Sequence, residues 1–154
     1  MKRPRMLVCN DDGFHGPGLQ PLVAAMRRIG SVTISVPEQE RSADSHSLTL
    51  HKPLRVRCVS EGFYTLNGSP ADCARFGALE ILKGRVDLLV SGINRGFNLG
   101  EDTIYSGTVA AAMEGTLLRL PSLAFSLDMN AEDYRPAAAF AQRLARQVLR
   151  RGRR

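Results

Sequence analysis

Met6-Leu7-Val8-Cys9-Asn10-Asp11-Asp12-Gly13 is a short apolar run that ends in two adjacent carboxylates and a glycine. Its first part, Met6 to Asn10, reads as a buried strand because it is short, apolar and continuous. Gly16-Pro17-Gly18 then turns the chain. Leu19, Leu22, Val23, Met26 and Ile29 follow at helical spacing, and Gly30 supplies the stop, which predicts a helix over 19–29. Val32-Thr33-Ile34-Ser35-Val36 is a second strand, closed by Pro37. Strand, helix and strand in so short a span form a βαβ unit, whose crossover is right-handed.

Outward from this unit, Glu38 to Ser47 is polar and predicts a loop. Leu48-Thr49-Leu50, Pro53 to Val59 and Phe63 to Leu66 read as short strands of a small antiparallel excursion. Ser69 is an N-cap and Pro70 a first helical residue for a helix reaching Leu82. Val86 to Val90 is another buried strand ending at Ser91-Gly92, and Ile93 to Gly107 is a long loop. A helix over Thr108 to Leu118, a strand over Ser122 to Leu127 and a helix from Pro136 to Arg151 complete the chain. Strands alternating with helices place it in the α/β class, as three layers around a mostly parallel sheet. Its 154 residues fit a single domain over 1–154.

The net charge of +6 is unevenly spread. Lys2, Arg3 and Arg5 sit at one end; Arg143, Arg146, Arg150, Arg151, Arg153 and Arg154 sit at the other. Without them, twelve basic residues face fifteen acidic ones. Basic ends on an acidic body are solvated termini, not a groove for a nucleic-acid duplex. No apolar run approaches a membrane span, and the run after the basic start is too short for a signal peptide, so a cytoplasmic location is the expectation. Cys9, Cys58 and Cys73 make no Cys-x-x-Cys pair and read as buried, reduced thiols.

Ligands of open α/β folds collect beyond the carboxyl ends of the strands. Asn10-Asp11-Asp12-Gly13, Pro37 to Ser42, and Ser91-Gly92-Ile93-Asn94 leave the expected strands there. They offer carboxylate, hydroxyl and amide oxygens, a set suited to magnesium, calcium or manganese and poor for zinc. Adjacent carboxylates at a buried strand end repel each other, and a cation turns that cost into affinity. Tyr105-Ser106-Gly107-Thr108 opens a helix, whose unpaired N–H groups form an anion site. A cation facing a phosphate-sized anion site is the minimal apparatus for phosphoester hydrolysis. There is no Gly-x-Ser-x-Gly elbow and no P-loop. His15 and His46 stand near enough to these segments to line a cleft, while His51 reads as a surface or structural histidine.

Taken in order, these segments resemble the SurE survival-protein family. The matching stretches are Asn10-Asp11-Asp12-Gly13 with Pro17-Gly18, Arg41-Ser42, Ser47 to Leu50, Gly68 to Cys73, Ser91 to Gly96, Asn98-Leu99-Gly100, and Tyr105 to Gly115. The resemblance implies a Rossmann-like fold and a metal-dependent nucleotidase that removes phosphate from nucleoside 5′- and 3′-monophosphates, with short polyphosphate as a further substrate of some members. It implies one divalent cation per site, magnesium or manganese, held by Asp11, Asp12, Ser42 and Asn94. Asn98 and Ser106-Gly107-Thr108 would face the phosphate. Asp11 and Asp12 are thus the catalytic candidates, and the resemblance leaves open which of them helps activate the attacking water. Family members are homodimers or homotetramers.

Two departures stand out. Ala43-Asp44-Ser45-His46 brings an extra carboxylate, Asp44, which strengthens cation binding or repels the phosphate according to where its side chain points. Family chains also run on beyond this length, so the C-terminal part of the family fold is expected to be missing, leaving an uncovered sheet edge. A nucleotide- or phosphate-binding protein that keeps the site and has lost turnover is the alternative reading.

Overall fold

A computed structural model describes residues 3–151. Lys2, Arg153 and Arg154 of the basic ends lie outside the described residues. The elements are β1 (Arg5–Cys9), α1 (Leu19–Arg27), β2 (Ser31–Pro37), β3 (Val56–Ser60), β4 (Phe63–Leu66), α2 (Pro70–Phe76), β5 (Leu88–Arg95), α3 (Asp102–Tyr105), α4 (Gly107–Leu117), β6 (Ser122–Leu127) and α5 (Arg135–Arg151). One six-stranded sheet runs in the order β3-β4-β2-β1-β5-β6. All pairs are parallel except β3 with β4.

The period-2 alternation of β1 builds both faces of the core. Met6 and Val8 enter one cluster with Leu22, Met26, Ala138, Ala141 and Ala145 of α1 and α5. Leu7 and Cys9 enter the opposite cluster with Ala74, Ala78 and Ala111 beneath α2 and α4. The β5 register agrees: Leu88 and Val90 sit opposite Met6 and Val8, and Leu89 opposite Leu7. This is the expected three-layer arrangement with helices on both faces. From β1 the chain winds one way to β2 and β4, then returns to β5 and β6 on the other side. The switch point therefore lies between β1 and β5, and ligands of such folds bind beyond the strand ends there.

Four expectations need correction. Leu48-Thr49-Leu50 forms no strand. Its backbone is bound elsewhere: the Asp72 carboxylate accepts the Thr49 N–H at 3.1 Å and the Thr49 hydroxyl at 2.6 Å, and the Ser69 hydroxyl donates to the Ser47 carbonyl at 2.6 Å. The strand expected from Pro53 begins only at Val56. The strand expected to end at Ser91 runs on to Arg95, because β6 pairs with it past a bulge, Asn94 opposite Ser126 and Arg95 opposite Leu127. Gly92 makes the bulge possible: its φ is +123°, and a Cβ would run into the Phe125 carbonyl. The long loop thus starts at Gly96 and contains α3. Finally, Cys58 is exposed rather than buried, since β3 is an edge strand whose residues face solvent. Cys9 and Cys73 are buried free thiols, as expected.

The expected helix from Pro70 holds, with a capping box: Ser69 accepts the Asp72 N–H and Asp72 accepts the Ser69 N–H. After Phe76 it widens into a π-helical turn, Gly77–Ile81. No helix among the described residues is long and apolar enough to cross a membrane.

Candidate active site

Asp11 lies two residues past the end of β1, after Asn10, and is buried with little exposed surface. The N-terminus of α4 holds it: the Thr108 hydroxyl donates to Asp11 Oδ1 at 2.5 Å. The same hydroxyl stands 3.5 Å from Asn94 Oδ1, at the end of β5. Asn94 is oriented by its own amide, which donates to the Gly96 carbonyl at 2.9 Å. Thr108 thereby brings an oxygen of Asp11 and an oxygen of Asn94 to one point. Gly107 permits this approach, because a Cβ there would lie 2.7 Å from Asp11 Cβ and 2.8 Å from Pro70 Cγ. Gly107→Ala is expected to cost about 1–3 kcal/mol of stability through overpacking, read as a lower midpoint in urea. An unchanged midpoint would show that the Asp11 contact is slack.

Asp12 accepts the Arg95 N–H at 3.3 Å through Oδ2. Burial, then the neighbouring Asp11 charge, pushes its carboxyl up to about 6. Burial likewise raises Asp11, although the Thr108 hydrogen bonds oppose the shift. Two carboxylates at the switch point are thus both short of positive charge.

They open into a cleft of about 980 Å³ that also reaches Ser42, Asn94, Asn98 and Ser106. Ser42 stands at the mouth, where its hydroxyl donates to Glu40 Oε1 at 2.6 Å. Its loop is tethered to the site from below: the Arg41 N–H donates to the Asp11 carbonyl at 2.8 Å, and the Ser45 N–H to the Tyr105 carbonyl at 3.0 Å. Asn98 turns an amide oxygen inward that is buried and has no partner among the described residues. Ser106 caps α4, accepting the Val109 N–H at 3.1 Å. Gly107 and Thr108 are not on the open surface of the cleft; they pack behind Asp11. Asp44 points to Arg41 at 3.8 Å, away from the lining residues.

His15 lines the cleft and His51 is exposed. His46 instead meets a buried carboxylate: His46 Nε2 lies 2.9 Å from Glu114 Oε2, and Arg75 donates to Glu114 Oε1 at 2.7 Å.

A model of the family described as "Survival protein SurE" matches residues 6–153. The chain belongs to the SurE family. Relatives named 5′-nucleotidase SurE from Geobacter sulfurreducens and Pelobacter propionicus are 51% and 50% identical to it, each over 96% of this chain and over 57% and 60% of their own lengths. The crystal structure of a SurE protein from Aquifex aeolicus is similar at 42% identity with a TM-score of 0.90, covering 96% of this chain and 60% of that one. The chain thus spans about three-fifths of the SurE relatives it matches.

Two lining residues of this SurE site escaped the sequence. Glu40 is a further carboxylate of the cleft, beside Glu38 and Asp102, and its charge adds to the upward push on Asp11 and Asp12. Arg95 is the only Lys or Arg among the described lining residues. No local pattern distinguished either from an ordinary surface charge.

Proposed function

We propose that this chain carries the centre of a divalent-metal-dependent phosphomonoesterase acting on nucleoside 5′- and 3′-monophosphates. One observation carries the reading: Thr108 draws the oxygens of Asp11 and Asn94 together beside Asp12, at the switch point of the sheet. The names of the relatives support the substrate class.

The residues present fit a hard cation. Among the described residues no cluster of three His, Cys, Asp or Glu could hold a metal. Two carboxylates joined by amide and hydroxyl oxygens form the donor set magnesium or manganese prefers. Among the described residues the buried amide oxygen of Asn98 lacks a partner, as does that of Asn10 beside Asp11. Asp11, Asp12 and Asn94 would hold the ion; Ser42 joins them if its hydroxyl leaves Glu40. A bound cation there neutralises charge and activates water.

The protein's own groups do the rest. Asp11 is buried with Oδ1 held at 2.5 Å by the Thr108 hydroxyl, whereas Asp12 is less buried and accepts only the longer 3.3 Å bond from the Arg95 N–H, so Asp12 is the better acceptor for the proton of the attacking water. The Ser106 hydroxyl accepts a helix N–H and keeps its own hydrogen for a phosphate oxygen. Asn98 reaches the same space, whereas Gly107 and Thr108 serve the phosphate indirectly, by fixing Asp11 at the helix start. The lining carries Asp11, Asp12, Glu38, Glu40 and Asp102 against Arg95. A phosphate dianion is repelled by such a cleft until a cation is bound.

Phosphate release from AMP or GMP tests the reading. Magnesium or manganese is expected to support it and EDTA to abolish it; release that survives EDTA would overturn the reading, and so would metal-dependent nucleotide binding without release.

The metal-free chain should also show an unusual pH response. Asp12 folds with a carboxyl at about 6 against an ordinary 3.8, so the folded state binds the proton more readily. Stability therefore rises as pH falls from about 7 towards 4, and this gain is lost as pH rises through about 6. Saturating magnesium reverses the trend, because the ion binds the ionised carboxylates. Melting temperatures across this range, with and without magnesium, check it; parallel curves would contradict it.

A further inference from the structure

Phe97 and Met129 are large apolar side chains that belong to neither core cluster and stand 54% and 61% exposed. Both line the main cleft. Their placement follows from the sheet. β5 and β6 are parallel neighbours, and their last paired residues are Arg95 and Leu127. Phe97 and Met129 each stand two residues beyond that pair. The backbone is held on both sides of Phe97: the Gly96 N–H donates to the Leu127 carbonyl at 2.8 Å and the Asn98 N–H to the Ser126 hydroxyl at 3.4 Å. On the facing segment, Arg95 Nε–H donates to the Met129 carbonyl at 3.4 Å, and a Cβ on Gly96 would lie 3.9 Å from Met129 Cβ. Two exposed apolar side chains are thus anchored on touching segments, at the carboxyl ends of adjacent strands.

Apolar side chains do nothing for a cation or a phosphate, so this part of the cleft wall suits another portion of a ligand. Asp11 and Asp12 follow β1, Asn94 belongs to β5, and β6 is the next strand out. Neighbouring strands lie about 5 Å apart, which puts the wall one to two strand spacings from the cation ligands. In a nucleoside monophosphate the base stands at such a remove from the phosphate, with the sugar between them. Asn98, the chain neighbour of Phe97, reaches the space assigned to the phosphate. An aromatic face beside an adaptable thioether is a surface on which a base stacks.

We propose that Phe97 and Met129 form the nucleobase subsite: the base stacks on the Phe97 ring and packs against Met129, while the phosphate lies towards Asn98 and Ser106. The inference rests on the nucleotidase reading above and names what holds the base.

Ribose 5-phosphate carries the same phosphomonoester without a base. Phosphate release from it and from AMP, with magnesium, is compared for the parent chain, Phe97→Ala and Phe97→Tyr. The parent should show the lower KM for AMP. Phe97→Ala should raise the KM for AMP, relative to that for ribose 5-phosphate, by on the order of 10-fold, and Phe97→Tyr should keep the parent ratio. Equal KM values for the two substrates in the parent would overturn the inference. So would a rise of both together in Phe97→Ala, which assigns Phe97 to shaping the loop that carries Asn98. Adenosine has no phosphate and needs no cation, so its calorimetric titration into the metal-free chain separates this inference from the nucleotidase reading. It should bind the parent and bind Phe97→Ala about 10-fold more weakly. That result without phosphate release from AMP would uphold the subsite and overturn the nucleotidase reading; no adenosine binding by the parent would overturn the subsite.

Discussion

Asp12→Asn is expected to lower phosphate release by on the order of 10²–10³-fold while making the metal-free chain more stable. Both effects come from one carboxylate. Asp12 lies beside the buried Asp11, with Glu40 adding a third negative charge, and its carboxyl is pushed up to about 6 as a result. Without a cation this arrangement is unfavourable, so the neutral amide should stabilise the fold by about 1 kcal/mol after solvent screening. With a cation the same charge becomes affinity, and the amide loses it together with the acceptor for the water's proton. Phosphate-release rates and metal-free melting curves report the two sides separately. Lower activity with a lower melting temperature would mean that Asp12 is structural.

The other large effect lies beneath the Ser42 loop. Glu114 is 1% exposed and is met by Arg75 of α2 and by His46 of the loop. Its two oxygens clamp loop, α2 and α4 together. Replacing both partners, Arg75→Leu with His46→Leu, leaves a buried charge uncompensated and should cost about 3–5 kcal/mol. Adding Glu114→Met removes that charge and should restore most of the loss, because buried ion pairs and apolar substitutes of similar volume are often equal in stability. Unfolding in urea measures both steps. A double variant as stable as the parent would show that Glu114 takes up a proton or solvent instead. The triple variant also separates stability from loop placement: recovered stability with weakened manganese binding would show that His46 matters for where Ser42 is held.

Much of this architecture is legible in residues 6–37. The alternation in Met6-Leu7-Val8-Cys9 already divides the core into its two faces, and the following carboxylates mark the strand end where open α/β folds collect their ligands. The misreadings share a physical origin. Leu48-Thr49-Leu50 has the composition of a strand, but the Asp72 side chain takes the Thr49 N–H and hydroxyl and Ser69 holds the preceding Ser47 carbonyl, and that competition arises only in three dimensions. Ser91-Gly92-Ile93-Asn94 has the composition of a loop, yet β6 pairs with its end. Thr108 reads as a phosphate ligand at a helix start; its bond to Asp11 depends on the approach of two segments 97 residues apart. Glu40 and Arg95 carry no local signature, since their meaning comes from a cleft wall that several segments assemble.

Asp11, Asp12 and Asn94 are proposed to hold one divalent cation together. Crystals of the chain soaked in manganese, with diffraction recorded for the metal's anomalous signal, test it most directly. One strong peak is expected, within coordination distance of oxygens from all three side chains. A peak elsewhere in the cleft, or none at manganese concentrations that support phosphate release, would contradict it.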